Sequence, residues 1–165
     1  MLYSITLAAH NIMRWVVVIL AIYALVRIYM GVFGKKEWTE TDRKSLSFYS
    51  IGLDIQLLLG LLLYFVISPL MASIRSNFGA AMSDSNLRFF AVEHISLMIV
   101  AVILGHVAVV MARRADTSSS KFRRGAIWLT LSVLAVLVAI PWQRPLLPHM
   151  AMLLQYMLDA LPPLR

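Results

Sequence analysis

The stretch "RFFAVEHISLMIVAVILGHVAVVMARR", Arg88 to Arg114, decides the fold. Its interior, Phe89 to Ala112, is long and apolar enough to cross a bilayer as a helix, which takes about 20 residues for a hydrocarbon core of roughly 30 Å. The same segment carries Glu93, His94 and His106. Ionisable side chains within such a span are costly and face the protein interior or a site when they occur. Ala91, Met98, Ala101, Gly105, Ala108 and Ala112 recur with heptad spacing, and His94 falls in that stripe. Small residues let membrane helices approach closely, so the stripe turns His94 into a helical bundle.

Three further apolar segments accompany it, at about Leu7 to Met30, Phe48 to Ile67 and Ala126 to Ile140. With 61% hydrophobic and 14% charged residues, the chain lies far from the balance of a soluble domain. A mean hydropathy of +0.80 agrees with a polytopic membrane protein in a lipid bilayer. Absence of cysteine excludes disulfides, iron–sulfur clusters, c-type haem attachment and thiolate zinc sites. Histidine and carboxylate remain as ligands, besides methionine.

Charge sets the expected orientation. Lys35, Lys36, Arg43 and Lys44 cluster after the first segment, and Arg113, Arg114, Lys121, Arg123 and Arg124 cluster after the third. Both connections are expected to be cytoplasmic, which places both termini outside. The formal charge of +7 is then explained by membrane topology and implies no nucleic-acid partner. The first apolar run lacks a basic leader and exceeds signal-peptide length, so it is expected to be retained. Thr39 with Asp42 has capping-box spacing, Ser83 and Asp84 are candidate starts for the third helix, and "TSSS" in the third connection reads as flexible.

After Pro141 the pattern changes. Met150, Leu153, Leu154, Met157, Leu158 and Leu161 lie at helical spacing opposite Gln155 and Asp159, describing a short amphipathic helix at the outer interface or against a partner. The expected fold is all-α: a four-transmembrane-helix bundle over residues 1–142, with a C-terminal interfacial amphipathic helix over 143–165.

Two polar layers follow from helix direction. His10, with Arg14 one turn deeper on its face, lies near the outer surface at the level of Glu93 and His94. Two histidines from different helices at one depth, small residues nearby and an arginine for propionates meet the needs of a b-type haem. The alternative is that His10 is interfacial and Arg14 pairs Glu93 or snorkels. His106 lies 12 residues beyond His94, about 18 Å along the axis and about 120° around it, so the two cannot serve one ion. Asp54, on nearly the opposite face of its helix from Gln56, lies near the level of His106. That inner pair reads either as a proton-linked quinone or substrate site or as an interhelical bond fixing register. His149 is a further possible ligand near His10 or His94, and Thr130 and Ser132 bond back to their own helix. No nucleophile elbow, P-loop or zinc-protease motif is present.

The segments "HNIMRWVVVILAIYALVR", "DIQLLLGLLLYFVISP", "LRFFAVEH" and "AIPW", spanning Ala9 to Trp142, resemble a group of small bacterial four-helix membrane proteins labelled cytochrome b or cytochrome b-like. The resemblance implies a haem b, with His10 and His94 at the matching positions and His106 matching less closely. The tail from Gln143 onward departs from the pattern. The expected function is that of an electron-transfer subunit in a bacterial inner membrane, within or beside a larger redox complex. The alternative is a cofactor-free accessory or assembly subunit of a respiratory or photosynthetic complex.

Overall fold

A computed structural model describes residues 1–142; the expected tail helix of 143–165, with His149, lies outside the described residues. Helix α1, Leu2–Gly34, ends where Lys35 takes a left-handed conformation at φ 49°. Helix α2, Glu40–Leu62, starts at a complete capping box: the Thr39 hydroxyl accepts from the Asp42 amide, and the Asp42 carboxylate accepts from the Thr39 amide. The helix continues through a π-helical turn, Leu63–Ile67.

The next connection is more ordered than a loop. It contains two short helices, α3 (Pro69–Ser76) and α4 (Phe78–Ser83). Asp84 then caps α5, Ser85–Arg88, by accepting from the amides of Asn86 and Leu87. A second π-helical turn, Phe89–Glu93, joins it to α6, His94–Arg113. Helix α7 runs Ser118–Ala139. Its Thr117 side chain accepts from the Ser120 amide, so the serine run expected to be flexible is the first turn of a helix.

Among the described residues, four helical units are long and apolar enough to cross a membrane: Leu2–Gly34, Glu40–Ile67, Ser85–Arg113 and Ser118–Ala139. Neighbouring units pack as α1 on α2, α2 on α6, α6 on α7, and α7 back on α1. The bundle therefore has a closed, four-sided section, the architecture of a multi-pass membrane protein. Exposed Ile19, Ile22, Leu58, Ile103 and Leu134 suit lipid, whereas Ala24, Ala101, Ala108 and Ala139 are wholly buried where backbones approach.

Polar groups inside the bundle bond between helices. Tyr49 donates to Ser132 Oγ at 2.9 Å, and Ser132 donates to the Ala101 carbonyl at 2.7 Å. Tyr29 and Thr130 join through their hydroxyls at 2.8 Å. Thr130 and Ser132 thus tie α7 to its neighbours rather than bonding back to their own helix: both face the interior, where tyrosine hydroxyls need partners.

At one end the two basic connections meet. Arg27 bridges to buried Asp42 at 2.7 Å, Ser118 donates to Glu37, and the Trp38 amide donates to Ser118. The opposite end carries the helical cap formed by α3 and α4, whose Met71, Ile74 and Ala81 pack with Ala91 in a small second core. The main core stops short beneath it, leaving a cavity.

Candidate functional site

That cavity is open on one side, and all four spanning units line it. Helix α1 contributes His10, Asn11 and Arg14, α2 contributes Gln56 and Gly60, α6 contributes His94 and Met98, and α7 contributes Val136. Leu70, Met71 and Phe90 close its end. A mostly apolar wall with few convergent polar groups is the usual character of a small-molecule site.

Both π turns lie at this level, where Tyr64 and Phe90 enter the lining. A π turn holds an extra residue and leaves carbonyls outside the regular helix ladder. Tyr64 donates to the Ala91 carbonyl at 2.7 Å, and Arg75 donates to the Tyr64 carbonyl at 2.7 Å. These bonds fix the two irregular turns to each other and to the cap.

The histidines of α1 and α6 meet here. Their ring centroids lie 6.3 Å apart with planes inclined by 70°. His94 donates from Nδ1 to the Ala139 carbonyl at 2.8 Å, which fixes its ring and leaves the lone pair on Nε2. An orienting bond of this kind accompanies most metal-binding histidines. Gln56 Nε2 lies 3.1 Å from His10 Nε2, while His10 Nδ1 is buried without a hydrogen bond among the described residues. Turning the Gln56 amide over lets its oxygen accept from Nε2–H and puts the His10 lone pair on Nδ1.

Gly60 leaves room beside this ring: a Cβ there would stand 3.2 Å from His10 Cε1. Arg14, one turn along α1, is 7% exposed. Its Nε is without a hydrogen bond, and it forms no ion pair, among the described residues. A guanidinium in a cavity of low dielectric calls for an anion.

The donor set can be tested against a metal group. No group of three or more His, Cys, Asp or Glu side chains is placed to hold a metal ion among the described residues. Two imidazoles suit a metal whose remaining positions are filled by a macrocycle. Imidazoles bound to one metal from opposite sides, with metal–nitrogen bonds of about 2.0–2.1 Å, hold their centroids on the order of 6 Å apart. His10 and His94 meet that spacing, Gly60 relieves the crowding, and Arg14 matches an acidic substituent. Two imidazoles, a glycine beside one ring and a buried guanidinium are thus brought together at one cavity.

The remaining expected site residues fall elsewhere. Glu93 pairs with Arg88 at 2.9 Å, both side chains being exposed, rather than with Arg14. The π turn Phe89–Glu93 brings residues five apart toward one face, which sets Glu93 beside Arg88. His106 contributes nothing to the cavity. It bonds Asp54 at 2.8 Å, as the two-layer reading of helix depth requires. Yet these side chains are 53% and 40% exposed on the outer surface of the α2/α6 side, not enclosed in a pocket. An aspartate near the middle of a spanning helix costs about 2.5–3.5 kcal/mol by insertion scales, and the histidine partner offsets part of this.

Sequence reading assigned no role to Gln56, Asn11, Gly60 or Tyr64. A signal existed for two of them: Gly60 lies four residues after Gln56, hence on the same face of α2. Comparison with protein-family models, with curated proteins and with solved structures returned no match.

Proposed function

We propose that this protein is a membrane-embedded electron carrier resembling a b-type cytochrome, in which His10 and His94 would hold one haem b. The observation that carries this reading is the 6.3 Å approach of the two imidazoles at a cavity that also contains Arg14. A haem held there supplies reversible one-electron transfer. The chain's own residues orient, charge-balance and line the site. The Ala139 carbonyl holds His94 in the tautomer whose Nε2 can ligate, and in the flipped-amide arrangement Gln56 holds His10 in the tautomer whose Nδ1 can. Arg14 holds an acidic substituent in a low-dielectric wall, where a charge-assisted bond is strong. Leu70, Met71 and Phe90 add apolar surface to the cavity wall beside the pair.

The positive-inside pattern supports a bacterial inner-membrane location with both termini and the cavity on the extracytoplasmic side. A lone one-electron carrier has no substrate of its own, so it would serve within or beside a larger redox complex.

The test is an absorption spectrum of the detergent-purified protein. Reduced-minus-oxidised bands of a b-type haem are expected, lost in His94→Ala and retained in His106→Ala. A folded, colourless protein would overturn the reading in favour of a cofactor-free accessory subunit.

A further inference from the structure

On the side of the bundle formed by α2 and α6, Asp54 and His106 face outward among lipid-type side chains. Exposed Ile51 and Leu58 flank Asp54, and exposed Ile103 and Val110 flank His106. Asp54 lies about 5 Å from the middle of the apolar stretch 48–67 and His106 about 8 Å from the middle of 89–112, both within the hydrocarbon. Their shared bond uses one atom of each: Asp54 Oδ1 and His106 Nε2. Asp54 Oδ2 and His106 Nδ1 make no hydrogen bond among the described residues. Lipid offers these atoms nothing, whereas Tyr29, Tyr49, Thr130 and Ser132 find their partners inside the bundle.

We propose that this α2/α6 face is where two copies of the chain meet within the membrane, Asp54 and His106 of one bonding His106 and Asp54 of the other. A two-fold axis along the membrane normal keeps every residue at its own depth, and the interface it generates is isologous. A pair that is neutral overall carries two protons, one between Nε2 and Oδ1 within a copy and one between Nδ1 and Oδ2 across the axis, so it is self-complementary under that axis. A different subunit would have to bring a matching polar residue to the same depth; a second copy brings it by construction. The interface is separate from the cavity and does not rest on the haem reading, because Gln56 and Asp54 leave α2 on opposite faces.

The chain contains no cysteine, so a single introduced thiol reports on proximity. Ile103→Cys sits three residues before His106 on the same face of α6. Ile19→Cys is also exposed but lies one turn from Trp15, which packs on Trp142 after α7, on the other side of the bundle. With a short bis-maleimide in native membranes, a covalent dimer is expected for Ile103→Cys and none for Ile19→Cys. Adding Asp54→Leu and His106→Leu together should abolish the dimer band. The exchange Asp54→His with His106→Asp keeps the pair self-complementary and should restore it.

No dimer at Ile103→Cys, equal crosslinking at both positions, or a dimer that survives the leucine pair overturns the proposal. So does a monomer that carries a lipid-soluble hydrogen-bonding small molecule on this face. Where the leucine pair fails to accumulate, the exchange variant decides: its dimer supports the interface and its loss refutes it.

Discussion

Gln56 sets its side-chain nitrogen 3.1 Å from Nε2 of His10, joining α2 to α1 at the wall of the cavity. Because His10 Nδ1 already makes no hydrogen bond among the described residues, Gln56→Leu would strip the ring of its last polar partner. A loss of about 1–2 kcal/mol is expected, the upper range for interhelical bonds in membranes, since the imidazole cannot turn to water. Unfolding in mixed micelles measures it; an unchanged transition would mean that the bond contributes nothing.

The chain of bonds from Tyr49 through Ser132 to the Ala101 carbonyl is asymmetric, and the asymmetry is testable. Ser132→Ala leaves a buried tyrosine hydroxyl without its acceptor, at a cost of about 1–3 kcal/mol. Tyr49→Phe removes the donor but leaves Ser132 bonded to the carbonyl, so less than about 1 kcal/mol is expected. Equal losses, or the reverse order, would mean that Tyr49 finds another acceptor.

Two glycines should respond in opposite directions to alanine. A Cβ on Gly31 would stand 2.1 Å from Phe122 Cε1, and Phe122 is 1% exposed with its ring 4.8 Å from that of Trp38. Gly31→Ala is expected to cost about 3 kcal/mol, the upper end for overpacking, because the ring has nowhere to move. Gly79, within α4, has nothing within 4 Å of a Cβ, so Gly79→Ala should gain about 0.5–1 kcal/mol of helix stability. The two variants, unfolded side by side in one detergent, check both signs.

The fold was legible wherever periodicity and length carry the information. All four spans, the Thr39–Asp42 capping box and the opposed faces of Asp54 and Gln56 follow from helical geometry applied to the sequence. Legibility ended at the π turns. An α-helical wheel advances about 100° per residue, and one inserted residue rotates everything before it by that amount. Glu93 therefore lies beside Arg88, five residues earlier, and pairs with it. Polar composition likewise concealed the cap, because nothing in the helical periodicity announces the starts at Ser68 and Asn77, whereas the start at Asp84 is legible from its capping side chain. Depth arguments brought His10 and His94 to one level, but their contact with Gln56 and the Ala139 carbonyl needed the side-chain geometry.

Arg14 offers the sharpest separation of stability from function. It is buried, it forms no ion pair among the described residues, and its Nε lacks a hydrogen bond there. Its guanidinium carbon lies 5.6 Å over the Trp15 ring. Replacing even a buried ion pair by apolar volume is often neutral or stabilising, by about 1–4 kcal/mol. Arg14→Leu is therefore expected to raise the stability of the ligand-free protein by about 1–3 kcal/mol on the same grounds. If the cavity takes an anionic macrocycle, the same substitution should weaken that binding, and Arg14→Lys should recover part of it by restoring charge without the planar fork. Stability is read from unfolding of ligand-free protein, and affinity from titration with haem and with a porphyrin esterified at its carboxylates. A leucine variant less stable than the parent would show that Arg14 is a packing residue. Equal losses of haem and ester binding would show that it does not recognise the acid groups, whereas a loss confined to haem identifies the guanidinium as the partner of the ligand's carboxylates.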